Sequence, residues 1–351
     1  MFVHNSIESF STWRMASGGA VTSQGFVLTI GNFDGCHLGH QALIKTARDL
    51  LDEVVDGASS SGDVCVLTFN PRPAVYFRKL SGLPPDEHAP ASESLFDPQQ
   101  KVEAMQELGV NHLILQTFDD AFSQVTPDGF FQAISRGGCA GIVIGDDFRF
   151  GTSRSGDAAF LATACQTAGI ALRLVDPITV HGLRASSSTI RREILNSGNV
   201  GLASTLLGRE YALDGEVERG NQNGRRIGIH TANLKSVDQI IPRNGVYAGY
   251  FALLDPDVAG SIKPPILCRN ESALPCVINV GHRPTVDASA KPRLTVEAHV
   301  IDHTFGDDAL YGKRARIYFA ARLRDETKFS SIEALKEQIL RDIEMARKIT
   351  T

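Results

Sequence analysis

The feature that most constrains this 351-residue chain is an alternation across its first ~205 residues. Short apolar runs at residues 26–30, 64–69, 112–115, 141–144 and 171–175 read as strands. Amphipathic stretches around residues 40–54, 99–108, 127–135 and 158–168 read as helices between them. Apolar strands joined by helix-length crossovers indicate a parallel sheet covered on both faces. Ligands of such sheets bind at the carboxyl ends of the strands, where loops turn into helices.

Beyond residue ~205 the texture changes. Short runs such as 246–253 and 275–280 are punctuated by Gly, Asn and Pro, and Pro242-Arg243-Asn244-Gly245 carries a hairpin signal. Residues 293–301 alternate strictly, with Leu294, Val296, Ala298 and Val300 on one face and Thr295, Glu297 and His299 on the other. This half reads as a small β-barrel. It closes on a helix with capping-box spacing at Ser330 and Glu333 and a stripe of Ile332, Leu335, Ile339, Ile343 and Ala346, expected to dock on the barrel. Residues 81–98, rich in Pro, Ser and acidic side chains, are expected to form a mobile loop. A chain of this length exceeds what one core supports, so the expectation is an α/β domain over 1–205 and a β-barrel domain over 206–351.

Composition excludes rather than identifies. A net charge of -5 argues against a general polyanion-binding surface, so no nucleic-acid partner is expected. No run approaches the ~18 apolar residues of a membrane span, and no basic-then-apolar leader opens the chain. No two of the six cysteines have C-x-x-C spacing, so they read as thiols of a reducing compartment. The expectation is a soluble, cytoplasmic protein without a membrane partner. Its oligomeric state is not legible.

Directly after the first apolar run stands Gly31-Asn32-Phe33-Asp34-Gly35-Cys36-His37-Leu38-Gly39-His40, leading into a helical pattern. His37 and His40, three apart, project from one side of the first helical turn. Gly39 lets a phosphate approach the backbone, and free N–H groups at a helix start favour an anion. This suits a triphosphate whose charge shifts toward leaving pyrophosphate, with catalysis by positioning and electrostatics. Ser186-Ser187-Ser188-Thr189-Ile190-Arg191-Arg192 also suits phosphate, though a serine-rich cap explains it equally. Gly145-Asp146-Asp147-Phe148-Arg149-Phe150-Gly151 follows a strand and is either a site loop or a charged turn.

The second half opens with Gly215-Glu216-Val217-Glu218-Arg219-Gly220, then Asn223-Gly224-Arg225-Arg226-Ile227-Gly228-Ile229-His230-Thr231-Ala232-Asn233-Leu234. Glycines around paired arginines suit a loop over phosphates. Thr231 and Asn233, two apart, face one way in extended backbone and offer hard oxygen ligands. Read alone, these residues make a polar loop just as well.

At these residues a resemblance is plain. The first half, from about 26 to 208, is similar to the FMN adenylyltransferase module of prokaryotic bifunctional riboflavin kinase/FAD synthetases, nucleotidyltransferases with an H-x-G-H motif. The second half resembles their riboflavin kinase module through Thr231-Ala232-Asn233-Leu234, Asn244-Gly245-Val246-Tyr247-Ala248, Asn279-Val280-Gly281-His282-Arg283-Pro284-Thr285, Glu297, Leu310-Tyr311-Gly312-Lys313, Arg324-Asp325-Glu326 and Phe329. The resemblance implies a Rossmann-like domain followed by a kinase barrel, phosphorylating riboflavin to FMN and adenylylating FMN to FAD, with ATP as co-substrate and Mg²⁺ as cofactor. It implies that His37 and His40, with Gly31, Asp34 and Gly39, handle ATP phosphates while Ser187, Ser188 and Arg191 close over them. Asp147 and Phe148 would belong to a nucleotide- or flavin-contacting loop. In the barrel, Gly224 and Arg225 would cover phosphates, Thr231 and Asn233 would ligate Mg²⁺, and Glu297 would be the general base. Taken without the resemblance, Glu297 is an ordinary outward carboxylate.

Three departures stand out. Asn70-Pro71-Arg72-Pro73 replaces an acidic residue followed by Pro-His-Pro, and Ile229 and His230 replace Phe and Pro. Arg72 keeps the capacity to hold a phosphate but cannot titrate as an imidazole. Histidine at 230 loses the φ restraint of proline. Two other readings remain open here: a lone adenylyltransferase with a regulatory flavin-binding barrel, and a nucleotidyltransferase-like domain joined to a nucleic-acid-binding barrel.

Overall fold

The computed structural model describes residues 1–16, 25–55, 62–82, 94–219, 231–235, 237–254, 265–267, 269, 272–283, 293–303, 305 and 309–350. Two compact units divide the chain, residues 1–86 with 101–185 and residues 87–100 with 186–351.

In the first unit, strands β1 (Phe2–His4), β2 (Phe26–Ile30), β3 (Asp63–Asn70), β4 (His112–Thr117), β5 (Cys139–Gly145) and β6 (Ala171–Val175) form one sheet in the order β1-β4-β3-β2-β5-β6. Every pairing in it is parallel. The helices in this stretch of chain are α1 (Ile7–Ala16), α2 (Leu38–Val54), α3 (Pro73–Leu80), α4 (Pro98–Glu107), α5 (Asp120–Ser123), α6 (Pro127–Ser135) and α7 (Ala158–Ala168), and a small hairpin follows, β7 (Thr179–Val180) with β8 (Leu183–Arg184). All five residues of β2 are buried, as expected of a strand covered on both faces. Helix starts carry local signals: Asp119, Thr126 and Asp157 each accept the N–H three residues on, and Gly169 ends α7 at φ 69°.

The apolar pattern did not announce β1, which is too short to show a period. It adds an edge strand beside β4 and brings His4 into a buried cluster. His4 Nε2 lies 3.0 Å from His112 Nδ1, and His112 Nε2 lies 3.5 Å from Asp63 Oδ2. Arg14 donates to that same carboxylate oxygen at 3.1 Å. Burial, and then repulsion from His112, push the His4 pKa below its ordinary value. The unfolded chain therefore protonates first as pH falls below about 6.5, and the stability from neutral His4 is present above that pH and is lost as pH falls toward the folded pKa.

The longer segment of the second unit opens with α8 (Ser187–Arg192) and α9 (Val200–Leu207). Six strands follow, β9 (Tyr211–Glu218), β10 (Ala232–Lys235), β11 (Gly245–Leu253), β12 (Leu274–Arg283), β13 (Arg293–Val300) and β14 (Arg314–Arg324). They close into an antiparallel barrel in the order β10-β13-β12-β11-β14-β9. Since β10 and β11 are not neighbours, Asn244-Gly245 opens β11 and is not the hairpin turn its composition suggests.

Helix α10 (Ile332–Thr350) does dock on the barrel: Ile343 and Ala346 pack with Val246, Ala248, Val277 and Ile301. Ile332 lies off this contact and is 63% exposed. The cap is Ser331, whose Oγ accepts the Ala334 N–H at 3.1 Å, one residue beyond the Ser330 that the spacing suggested.

A buried polar network anchors the barrel. Arg316 donates through Nε and Nη2 to the two oxygens of Asp214, each at 2.7 Å, with both side chains fully buried. Gln100 Nε2 donates to Asp214 Oδ1 at 2.8 Å, and Gln239 Nε2 donates to Gln100 Oε1 at 2.8 Å and to Leu95 O at 3.1 Å. Residues 94–97, expected within a mobile loop, are instead fastened to this unit; Leu95 and Phe96 are buried, and Ile240 N donates to Ser94 O at 2.9 Å.

Two stability outcomes follow from these clusters. Between pH 8 and 5 the thermal midpoint of His4→Gln is expected to fall less than that of the parent, and equal slopes would remove His4 from the acid response. Arg316→Met, which strands the Asp214 carboxylate, is expected to cost about 3–5 kcal/mol in urea unfolding, with a joint Asp214→Leu/Arg316→Leu change recovering much of it.

Candidate active site

The chain leaves β2 through residues 31–36 and enters α2 at His37, the residue that precedes the first helical turn. Phe33 and Cys36 both hold φ near 45°, and Gly35 holds 78°. Side chains other than glycine occupy that left-handed region at a cost, and burial of Phe33, Asp34 and Cys36 is what maintains it here. The turn delivers His37 and His40 side by side, with ring centroids 3.7 Å apart and planes at 24°. The spacing of three residues predicted this shared side. A Cβ at Gly39 would stand 3.1 Å from His37 Cε1, so glycine leaves the room that the His37 ring uses.

Sheet order puts this turn where ligands of parallel sheets bind. The chain runs from β2 to β3 on one side and returns to β5 on the other, so the carboxyl ends of β2 and β5 flank the switch point. Arg72, just past β3, places Nη1 3.5 Å from Asp34 Oδ2, and both side chains are largely buried. The departure at position 72 thus puts a fixed cation against the loop that carries His37 and His40. Past β5, Asp147 pairs with Arg184 at 2.7 Å, and Phe148 stacks on Phe150 with centroids 5.4 Å apart. Lys101, singled out by no motif, donates to Asn32 O at 3.1 Å.

Ser187, Ser188 and Arg191 lie on α8 in the second unit. Ser186 is the cap, its Oγ accepting the Thr189 N–H at 3.2 Å. The serine-rich cap that the sequence allowed is therefore real, and it leaves Ser188 exposed.

In the barrel, register does what sequence distance hides. Asn233 stands directly opposite Glu297, and Glu297 directly opposite Asn279 on its other side. Glu218 faces Asn233 from β9. Directly opposed residues of antiparallel strands share a face, so two carboxylates and two amides make one row across four strands. Val296, Ala298 and Val300 are buried on the opposite face, as the alternation required. Val246, opposite Asn279, belongs to the patch that packs with α10, so the Glu297 row lies on the face that this helix partly covers. Thr231 precedes β10 and is half-buried. Gly224, Arg225, Ile229 and His230 lie outside the described residues. Sequence reading missed the row because Asn233 and Glu297 are separated by most of the barrel; Asn279 was noticed only inside its Asn279-Val280-Gly281 run.

The oxygens of this row, with the Thr231 hydroxyl, are hard donors of the kind that a divalent cation such as Mg²⁺ accepts. Among the described residues no helix is long and apolar enough to cross a membrane.

A parallel α/β unit with a paired-histidine turn, followed by a closed antiparallel barrel bearing an Asn–Glu row, matches family models of a nucleotide-using synthetase joined to a small-molecule kinase. Residues 20–189 match the family model for FAD synthetase, and residues 207–350 match that for riboflavin kinase. The bifunctional riboflavin kinase/FMN adenylyltransferase of Escherichia coli K12 is 33% identical over 327 residues, 93% of each chain. Proteins of the same description from Haemophilus influenzae and Pseudomonas fluorescens are 32% and 34% identical, spanning 92% and 93% of this chain and 94% and 93% of theirs. A solved structure from Streptococcus pneumoniae, described as a macrolide-efflux protein, aligns with a TM-score of 0.75 at 27% identity and covers 93% of this chain and 95% of that one. The chain belongs to the family of bifunctional riboflavin kinase/FMN adenylyltransferases.

Proposed function

We propose that the two reactions of this family run at separate sites in this chain, riboflavin phosphorylation in the barrel over 206–351 and FMN adenylylation in the α/β half over 1–205. The observation that carries the division is that each half assembles its own chemical cluster: the stacked His37 and His40 beside Asp34 and Arg72, and the Asn233–Glu297 row.

In adenylylation, a phosphate oxygen of FMN attacks the α-phosphorus of ATP, and the bond to the departing pyrophosphate breaks to give FAD. No protein nucleophile is needed. The chain's contribution is to orient the reactants and to stabilise charge moving onto pyrophosphate. His37 and His40, at the start of α2 with Gly31, Asp34 and Gly39, take that role, and Ser187, Ser188 and Arg191 hold phosphate oxygens. Asp147 and Phe148 contact the nucleotide or the flavin.

In phosphorylation, Glu297 accepts the proton of the riboflavin 5′-hydroxyl, whose oxygen attacks the γ-phosphorus of ATP as ADP leaves. Thr231 and Asn233 would hold Mg²⁺, which would supply positive charge to neutralise the ATP phosphates. Gly224 and Arg225 cover those phosphates in this reading. Cys36, Cys65, Cys139, Cys165 and Cys276 are buried and in no disulfide, which suits a cytoplasmic enzyme.

Paired substitutions test the division. His40→Ala is expected to lower FAD formation from FMN by at least about 100-fold while riboflavin is still converted to FMN. Asn233→Ala is expected to do the reverse. Chromatography of both reactions, on variants shown to be folded by circular dichroism, reads the outcome. Loss of both activities in either folded variant would contradict separate sites.

A further inference from the structure

Lys101 belongs to none of the motifs to which the adenylyl-transfer reading assigns work. Its Nζ donates to Asn32 O at 3.1 Å and lies 3.4 Å from Thr68 Oγ1. Thr68 Oγ1 itself donates to the same carbonyl at 2.9 Å. Asn32 opens the left-handed turn that ends on His37, while Thr68 lies near the end of β3, the strand that pairs with β2. One ammonium therefore ties together the exits of two adjacent parallel strands, and the exits of such strands are where this kind of sheet works.

The charges around it are few and identifiable. Asp34 and Cys36 face Lys101 from the β2–α2 turn, and Arg72 faces it from the turn after β3. Asp34 also pairs with Arg72 at 3.5 Å. Lys101 and Arg72 thus share the field of one carboxylate, Asp34, which belongs to the turn that bears the histidines. Burial is the main influence on the Lys101 pKa and pushes it down, partly opposed by Asp34, while Arg72 acts with the burial. Lys101 is half-buried, with its ammonium turned onto the Asn32 carbonyl and the Thr68 hydroxyl.

We propose that Lys101 is a positioning residue of the adenylyl-transfer site: its ammonium holds the Asn32 carbonyl, and with it the shape of the turn that presents His37 and His40 to the triphosphate. The inference rests on the assignment of adenylyl transfer to this turn. It gives Lys101 no contact with nucleotide, so its loss acts on the geometry of the bound complex rather than on its formation. Misplacement of a catalytic group by about 1 Å costs on the order of 100-fold in rate.

The test uses the full chain, with riboflavin phosphorylation measured on the same samples as an internal control. Lys101→Met is expected to lower kcat for FAD formation from FMN by about 10- to 100-fold with KM for ATP changed less than about threefold, and to leave the kinase reaction intact. Lys101→Arg is expected to restore most of the rate. The sign of the pH effect follows from the charge required: activity falls as pH rises through the Lys101 pKa, which lies below that of an ordinary lysine. The arginine variant, which stays charged, should hold its activity to higher pH than the parent. Three results would overturn the inference: Lys101→Met within about twofold of the parent, a loss carried mainly by KM for ATP, or an alkaline fall unchanged in Lys101→Arg. A fall of both reactions together in Lys101→Met, unrelieved by arginine, would make Lys101 a general stabiliser and also overturn it. A parent chain that phosphorylates riboflavin but makes no FAD would instead remove the underlying assignment, and that comparison is made before any variant is read.

Discussion

The turn between β2 and α2 is the constraint on which the placement of His37 and His40 depends. Phe33 and Cys36 take a backbone conformation that free chains avoid, and the turn persists because its side chains are sealed from water. The consequence is local and chemical: two imidazoles stack at a helix start, over a glycine that leaves them room. Neighbouring strand exits reinforce it through the Thr68 hydroxyl, the Lys101 ammonium and the Arg72 guanidinium. In the adenylyl transfer proposed for this turn the charge that moves belongs to the nucleotide, so the chain's part is to hold fixed groups in place.

The barrel places its polar residues by a different device. Its row of Glu218, Asn233, Glu297 and Asn279 exists only because β10 pairs with both β9 and β13, and β13 pairs with β12. Closure leaves little freedom in that register, because slipping a strand by one residue would exchange Glu297 for the buried Val296 or Ala298. The Asp214–Arg316 pair, with Gln100 and Gln239, supports the β9–β14 side of the same barrel. Breaking such a pair leaves a buried charge uncompensated, so the network holds one arrangement against its alternatives.

What the chain reveals before folding is what short-range pattern encodes. Five of the six strands of the parallel sheet are visible as apolar runs, β2 most plainly because all of its residues are buried, and the paired histidines are visible because a separation of three is a helical neighbour. Likewise the alternation around Glu297 foretold which side of β13 is buried. Contacts between distant segments were invisible: Lys101 with Asn32, Asn233 with Glu297, and Leu95 with Gln239. Each depends on which strands become neighbours, and no period records that. Two local signals misled for physical reasons. Asn244-Gly245 has hairpin chemistry but begins a strand whose partners lie elsewhere, and Ser330 has the spacing of a cap that Ser331 supplies.

The central claim is that one chain carries both steps from riboflavin to FAD. The most direct measurement incubates the purified protein with riboflavin, ATP and Mg²⁺, follows riboflavin, FMN and FAD by chromatography, and runs a parallel reaction that starts from FMN. The account predicts that riboflavin is consumed to FMN and then to FAD, and that the parallel reaction yields FAD. Riboflavin left untouched while supplied FMN becomes FAD would contradict the kinase assignment of the barrel, and FMN accumulating without FAD would contradict the adenylyl-transfer assignment of the α/β half.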